Sequence, residues 1–392
     1  MMKRKVAYSA LIFGLFSITF GAIECPDMKA GGTFEKNGQK YLVVENGEGK
    51  FGIKNARLAD KAYHNQIKLC TTHVTDMSEL YKMLEYPDNR STKLDGGGLK
   101  NLGIEQWDTS NVTTMSSAFS GVNNISDLNL SSWDTSKVKD ISGMFAFSDF
   151  DSFIGSWDVS KVTDMSGAFM FNSDFNRDLS HWDVSNVKNM KGMFMEAYSF
   201  NQPFNDWDVS NVTDMSNMFS EAVKFNQPLD KWNTSSVKSM KSMFRRAESF
   251  NQPLNSWNVS NVMDMSDMFL MAKSFNQPLN QWNVSKVTNM KQMFANVDPE
   301  GWHRDPGVFN QPLDNWDVSN VVDMSQMFMN QANFNQSLEN WDVSSVKNMA
   351  SMFNKAESFN QPLDKWDVSS VIDSRNFADN SSLSQENLPK FK

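Results

Sequence analysis

The chain has 392 residues and a formal net charge of −9, with two cysteines and four histidines. An acidic chain without a basic stripe is unlike a nucleic-acid-binding protein, so we expect no nucleic-acid partner. The histidines are widely separated in the sequence, which contains no phosphate-binding loop, zinc-protease motif or nucleophile elbow. We therefore expect no enzyme.

Residues 1–22 have the pattern of a secretory signal peptide. Three basic residues at positions 3–5 precede an apolar run over residues 6–20, and the small residues Gly21 and Ala22 follow it. The run is short for a membrane span, so we expect it to be cleaved and the mature chain to have no stable span. This predicts a protein that is secreted or lies on the cell surface.

Residues 23–65 are not repetitive and are predicted to cap the N-terminal end of the repeats that follow, because an open end needs cover. A strand is predicted at residues 40–45. Cys25 and Cys70 are the two cysteines of the chain, and an even pair in an exported protein predicts one disulfide.

Residues 66–106 are predicted to form a degenerate first repeat. Val74, Met77 and Leu80 have the spacing of the apolar residues in the later repeats. The stretch that leads from there to Trp107 contains three consecutive glycines at 96–98, which predict a loop.

Eleven tryptophans mark a repeat of 25 residues, with one step of 26, one of 24 and one of 34. The repeat has the form F-N-Q-P-L-x-x-W-[DN]-[VT]-S-x-V-x-x-M-x-x-M-F-x-x-A. Its L-x-x-W-x-V segment alternates between apolar and polar residues, which predicts a short strand. From the second valine the apolar residues recur at i, i+3, i+6 and i+7, which predicts a short helix. The marking residues are Trp107, Trp133, Trp157, Trp182, Trp207, Trp232, Trp257, Trp282, Trp316, Trp341 and Trp366.

One repeat is too small to bury its own apolar side chains, each of which gains roughly 1.5 to 3 kcal/mol on burial. Only the neighbouring repeats can cover them, so the repeats are expected to stack with tryptophan and methionine inside. The predicted fold class is an α/β solenoid over residues 66–378, with one short parallel strand and one short helix per repeat. A polar tail is predicted at residues 379–392.

The sequence W-D-V-S-N-V-T-D-M-S-x-M-F, which spans residues 207–219, resembles the bacterial surface protein repeat. That repeat occurs in BspA-like leucine-rich-repeat surface proteins and in a related lipoprotein-associated family of mycoplasmas. The resemblance extends over all eleven repeats. It implies a right-handed, leucine-rich-repeat-like coil that is secreted or lies on the cell surface, with adhesion or host-protein binding as in some relatives.

The residue after each marking tryptophan forms a column of Asp or Asn, predicted to lie on the exposed face of the sheet. Stacked carboxylates repel one another by about 1 kcal/mol per neighbour in water, so a partner is expected to relieve the repulsion. One hypothesis is calcium at Asp134, Asp158, Asp183 and Asp208, and another is a basic partner on an acidic face. The alternative is that each carboxylate accepts local hydrogen bonds and is solvated. The carboxylates predicted to bind a partner are Asp108, Asp134, Asp158, Asp183, Asp208, Asp317, Asp342 and Asp367.

A nine-residue insertion after Phe294 breaks the period once and carries Trp302, His303 and Arg304. Insertions in solenoids emerge at one edge, where function often lies. An aromatic residue beside an arginine is typical of a binding hot spot, so these three residues are candidates for partner binding. The alternative is that Trp302 packs onto its own repeat.

These features predict a secreted or surface-exposed scaffold that binds a protein or a glycan, for example in adhesion to host or neighbouring cells. The alternative is a structural or matrix protein without a ligand, stabilised by cations along the Asp column. No cofactor is expected apart from the calcium of that hypothesis.

Overall fold

The computed structural model describes residues 21–81, 96–297 and 306–392. Regular helices and strands occur only in the N-terminal part of these residues. They are the strands β1 (Thr33–Lys36), β2 (Gln39–Val43) and β3 (Lys68–Cys70), the helices α1 (Ala56–His64) and α2 (Gly96–Asn101), and a 3₁₀ helix (Ile104–Gln106). No helix in the described part of the chain is long and apolar enough to cross a bilayer.

The N-terminal segment packs across the first repeat through a small sheet. Strand β2 is central, antiparallel to β1 and parallel to β3, and it overlaps the predicted strand at 40–45. A disulfide joins Cys25 to Cys70 of β3, with a Cα–Cα distance of 5.8 Å. At the same end of the stack, Lys54 Nζ lies 3.1 Å from Asp76 Oδ2. The prediction of a loop at the glycines 96–98 is wrong, because these residues begin α2.

Within the described repeats, neither the predicted strand nor the predicted helix forms, and turns with single bridges take their place. The reason is that two residues of each typical repeat adopt a left-handed backbone, as Asn217 (φ 58°) and Glu221 (φ 61°) do. A left-handed residue ends an α-helix. The apolar spacing of three arises instead from successive turns, in which Met218 N–H donates to the carbonyl of Met215 three residues earlier.

Hydrogen bonds connect each repeat to the next. Asn217 N–H donates to the Lys241 carbonyl at 2.9 Å, and Phe219 N–H donates to the Met243 carbonyl at 2.9 Å. The same pairing includes one isolated parallel β-bridge between each repeat and the next. This series of bridges continues across the insertion. The bridged residues are, in order, Asp76, Thr114, Asp140, Asp164, Asn189, Asp214, Ser239, Asp264, Asn289, Asp323, Asn348 and Asp373.

The predicted core of tryptophan and methionine is confirmed. All eleven marking tryptophans are at most 5% exposed, and the methionines of the M-x-x-M-F segments are buried with them. Two phenylalanines of each typical repeat stack closely, for example Phe219 on Phe225 with ring centroids 4.1 Å apart. Rings also stack between repeats, as Trp232 does on Trp257 at 6.2 Å. The interior is therefore continuous along the stack.

Ten of the eleven marking indoles also make a hydrogen bond to the preceding repeat. The Nε1–H of Trp257 donates to the Leu229 carbonyl of the preceding repeat at 2.8 Å. Nine other tryptophans donate in the same way, each to the carbonyl of the residue three positions before the preceding marking tryptophan. Trp107 instead donates to the Leu102 carbonyl, five residues earlier, at 3.4 Å. The tryptophan thus has two roles: its ring fills the core, and its N–H donates a hydrogen bond to a buried carbonyl.

The asparagine of the F-N-Q segment forms a second ladder. The side-chain oxygen of Asn201 accepts the backbone N–H of Asn226 at 3.0 Å, and Asn226 does the same for Asn251 at 3.0 Å. At the C-terminal end the tail at 379–392 folds back on the last repeat. Leu363 N–H donates to the Asn387 carbonyl at 2.9 Å, and the ring of Phe391 contacts Phe377.

We predict that Trp257→Phe lowers the free energy of unfolding by about 1 to 3 kcal/mol, because the buried Leu229 carbonyl loses its donor. Trp257→Ala should cost more, about 3 to 5 kcal/mol, since it also empties the core. Urea unfolding followed by far-UV circular dichroism measures both. Met263→Thr is the control, because Met263 is 50% exposed and threonine occupies this position in other repeats; its effect should stay within about 0.5 kcal/mol. A phenylalanine variant as stable as the parent would contradict the donor role.

Candidate functional site

The Asp column lies on the surface, with one exception. Asp108 is 5% exposed, whereas the other ten members are exposed. In all eleven repeats the side-chain oxygen accepts the backbone N–H of the serine two residues later, at 2.9 to 3.2 Å. Asn233, Asn258 and Asn283 accept this bond as the aspartates do. The turn therefore needs an acceptor at this position and does not need a charge.

These hydrogen bonds also lower the pKa of five aspartates of the column. The hydroxyl and backbone N–H of the following serine lower the pKa of Asp158, Asp208, Asp342 and Asp367. Burial raises the pKa of Asp108, but hydrogen bonds from Thr72 and Ser110 outweigh it, and the net shift is downward. These five carboxylates are consequently ionised at neutral pH, and hydrogen bonds from nearby residues stabilise each of them.

Lysines lie beside the column on the same exposed face. Lys137 lowers the pKa of Asp108 and Lys161 lowers that of Asp158 through charge attraction. The exposed lysines that follow column members by three or five residues are Lys137, Lys139, Lys161, Lys188, Lys238, Lys286 and Lys347. The face therefore carries both signs of charge, which reduces the repulsion that motivated the calcium and basic-partner hypotheses.

The four residues considered for calcium, Asp134, Asp158, Asp183 and Asp208, stand one to a repeat. Within residues 21–81, 96–297 and 306–392, no three His, Cys, Asp or Glu side chains come together as a metal site would require. Calcium prefers six to eight oxygen ligands. The geometry thus favours the local hydrogen-bonding role over a shared cation.

Trp302, His303 and Arg304 lie outside the described residues, and what the structure describes is the base of their insertion. Gln331, which is 5% exposed, holds both ends of it. Its Nε2 donates to the Phe294 carbonyl before the insertion, and its Oε1 accepts the Phe309 N–H after it at 3.1 Å. Gly307 passes so close to this amide that a Cβ there would lie 2.1 Å from Oε1. The two ends are thereby fixed to the next repeat.

The sequence analysis did not single out Gln331, although comparison with the equivalent position in other repeats would have identified it. The position is alanine in typical repeats, such as Ala222 and Ala356, and glutamine stands there only in the repeat that follows the insertion. A separate apolar cluster of Leu270, Met271 and Ala295 lies beside the insertion, with Val297 and Met329 packed against it.

The described histidines have structural surroundings. His64 Nδ1 lies 3.0 Å from the Asp60 carboxylate on the surface of α1, and His73 Nε2 contacts the Met28 carbonyl at 3.1 Å. His181 is exposed. Neither contact involves a serine or cysteine that an imidazole could activate, which is the arrangement that nucleophilic catalysis needs.

Family comparison agrees with the tandem organisation. Residues 59–149, 124–219, 201–305 and 302–391 each match the model of a family described as a Mycoplasma protein of unknown function, DUF285. The four matches together extend from residue 59 to residue 391. The chain belongs to this family. Each DUF285 match spans two to four of the tryptophan-marked repeats. No curated protein and no solved structure matches the chain.

We predict that Asp208→Asn leaves stability at pH 7 within about 0.5 kcal/mol, whereas Asp208→Ala lowers it by about 1 kcal/mol through loss of the turn hydrogen bond. Because the folded-state pKa of Asp208 is lowered, its carboxylate stabilises the fold above the unfolded pKa, and this contribution disappears as the pH falls through the folded pKa. The asparagine variant should therefore lose less stability than the parent on acidification.

Thermal midpoints at neutral and acidic pH, with calcium or with a chelator, test this expectation. Asn258→Asp is the matched control, since it adds a charge at an equivalent position. A large destabilisation of Asp208→Asn at pH 7 that depends on calcium would contradict the local role and restore the cation hypothesis.

Proposed function

We propose that this chain is a secreted or cell-surface repeat scaffold that binds a macromolecule, either a protein or a glycan, as in adhesion to host or neighbouring cells. In this proposal residues 66–378 form one elongated, right-handed solenoid of the leucine-rich-repeat type, as in BspA-like surface proteins. The N-terminal segment caps one end. The uninterrupted series of parallel bridges between neighbouring repeats supports it.

The main support for the proposal is the constant alignment of equivalent residues in neighbouring repeats. Because backbone hydrogen bonds, indole donors and asparagine ladders all join one repeat to the next, equivalent side chains stand in fixed columns. Such a surface is rigid before a partner arrives, and rigidity reduces the entropy lost on binding. Repeat stacks are widely used as extended binding surfaces for this reason.

The proposed location rests on the signal pattern of residues 1–22, of which 1–20 lie outside the described residues, and on the disulfide between Cys25 and Cys70. Disulfides persist mainly in exported proteins. We propose binding rather than catalysis because polar groups along the repeats are occupied in turn and ladder hydrogen bonds.

We predict that the intact chain captures specific proteins or glycans from host-cell or neighbouring-cell surfaces in a pull-down. A variant that lacks residues 296–304, which restores the period of 25, and a Trp302→Ala variant should recover less of the same partner if the insertion contributes. The Met263→Thr variant is the control for a neutral surface change. Thermal unfolding verifies that each variant is folded.

Full recovery by the deletion variant would remove the insertion from the binding surface and leave the columns as the site. Concentration-dependent self-association without capture of any surface molecule would contradict the scaffold function. That outcome would favour the structural or matrix alternative.

A further inference from the structure

Three consecutive repeats carry no acid in the Asp column. The column residues there are Asn233, Asn258 and Asn283, whereas each of the other eight repeats has an aspartate. All three asparagines are exposed, and each accepts the serine N–H of its turn as an aspartate does. Because either residue closes the turn, the fold does not explain why the charge is missing in three adjacent repeats.

An open groove runs across the same three repeats. Ser235, Lys238, Asn261 and Lys286 line it, together with Thr213 of the repeat before them, and no acidic residue does. Its volume is about 530 Å³, within the range of about 300 to 1,000 Å³ that is usual for small-ligand sites. The groove is therefore a cavity whose charged groups are all positive.

The two lysines of the groove differ from the other lysines of this face. Of the seven exposed lysines that follow column members, five follow an aspartate, whereas Lys238 follows Asn233 and Lys286 follows Asn283. In the described part of the chain neither Lys238 nor Lys286 takes part in an ion pair. Two positive charges thus stand at the groove without a counter-charge in their own repeats.

The acids next to the lining residues in the chain are directed elsewhere. Asp214 follows Thr213, and its carboxylate accepts the Ser216 N–H at 2.8 Å. Asp264 accepts the Ser266 N–H at 2.9 Å in the same way. Both aspartates are only partly exposed, and neither lines the groove. They close turns and leave the two lysines to a ligand.

Hydrogen bonds between repeats hold the polar groups of the groove in place. Lys286 Nζ donates to Asn261 Oδ1 at 2.7 Å, and Asn261 Nδ2 donates to the Ser235 carbonyl at 2.8 Å. An ammonium group has three donors, so two remain for a ligand. Lys286 is thereby positioned before a ligand arrives, which reduces the entropy lost on binding.

The hydroxyl groups of the groove serve as acceptors. Thr213 Oγ1 donates its proton to the Lys188 carbonyl at 3.1 Å, and Ser236 Oγ donates to the Ser210 carbonyl at 2.6 Å. A hydroxyl oxygen whose proton is engaged still has lone pairs that accept hydrogen bonds. The groove therefore offers ammonium donors for an anion and oxygen acceptors for donor groups. A ligand that carries both anionic groups and hydroxyls matches it.

We propose that this groove binds an acidic glycan, a sugar chain that carries carboxylate or sulfate groups. Lys238 and Lys286 pair with the anionic groups, and the oxygens of Thr213 and Ser236 accept hydrogen bonds from sugar hydroxyls. The absence of acids from the column in these repeats removes the charges that would repel such a chain. The lining residues include no aromatic ring or arginine on which a nucleic-acid base could stack. The proposal rests on the proposed binding function and specifies its partner and a surface separate from the insertion.

The test uses the full chain and fluorescence anisotropy with three labelled oligosaccharides: hyaluronan, which carries carboxylates, heparin, which also carries sulfates, and neutral dextran. We expect one or both acidic probes to bind, with an affinity that falls as salt is added, and dextran not to bind. Binding of only one acidic probe identifies the anionic group that is recognised.

The double variant Lys238→Thr/Lys286→Asn should bind the acidic probe about tenfold more weakly or worse, because hydrogen bonds to charged groups are the strong ones. Threonine and asparagine occupy these positions in other repeats, as Thr213 and Asn261 do, so the thermal midpoint should be unchanged. A second variant, in which the three column asparagines of the groove repeats become aspartates, keeps both lysines and the turn hydrogen bonds. It should also bind more weakly.

Lys137→Asn/Lys188→Thr is the matched control, because it removes the same two charges at equivalent positions in repeats whose column residue is an aspartate. It should bind like the parent. Met263 also borders the groove, but its side chain has no charge and no hydrogen-bond donor, so Met263→Thr should bind like the parent as well.

Equal weakening by the matched control overturns the proposal, since binding would then follow the overall charge. Parental affinity in the lysine double variant or in the aspartate variant overturns it too. Labelled polyglutamate that binds as tightly as the acidic probes would show a site for anions in general and would overturn the glycan assignment. If the parent captures surface molecules in the pull-down but binds neither acidic probe, this inference fails while the scaffold function stands.

Discussion

The fold depends on one constraint: no repeat satisfies its own backbone or covers its own core. Alternate N–H groups of the Met215–Glu221 segment donate to the following repeat, and every marking indole after that of Trp107 donates to the preceding repeat, as Trp257 does. A buried polar group without a partner costs free energy comparable to a lost hydrogen bond, so every repeat needs its neighbours. Long-range pairing between adjacent repeats thus replaces regular helices and strands, and the ends need separate cover from the N-terminal sheet and the C-terminal tail.

This constraint divides the sequence into two sets of positions. Residues that face a neighbour or close a turn vary little in chemistry, as in the Asp or Asn column, where any acceptor for the serine N–H suffices. Residues that face solvent are free to vary, and their departures from the pattern are informative. Gln331 replaces the usual alanine at the position that binds both ends of the insertion. Phe147 places an exposed aromatic ring where several other repeats have glycine or a charged residue. The repeats act as internal controls for one another, which makes these departures interpretable in a single chain.

The sequence allowed the period and the buried tryptophans and methionines to be predicted, because both follow from periodicity and burial. It did not allow the local conformation to be predicted. Spacings of three fit both a helix and a series of turns, and the left-handed positions hold residues as different as Asn217, Arg246 and Phe171. The exposure of the Asp or Asn column was predicted correctly for ten of its eleven members, with Asp108 as the exception. The serine N–H that each member accepts depends on the turn geometry, which periodicity does not reveal. Gln331 could be noticed only as a deviation from alanine.

Hydrogen exchange at the indole N–H groups of the intact chain tests the central claim most directly. If the eleven marking tryptophans form one continuous interior and donate to buried carbonyls, their indole protons should exchange slowly, and only when neighbouring repeats open together. Protection should be strongest in the middle of the stack and weaker at its ends. Indole protons that exchange as fast as those of an exposed tryptophan, or that are protected repeat by repeat without any dependence on neighbours, would contradict the account.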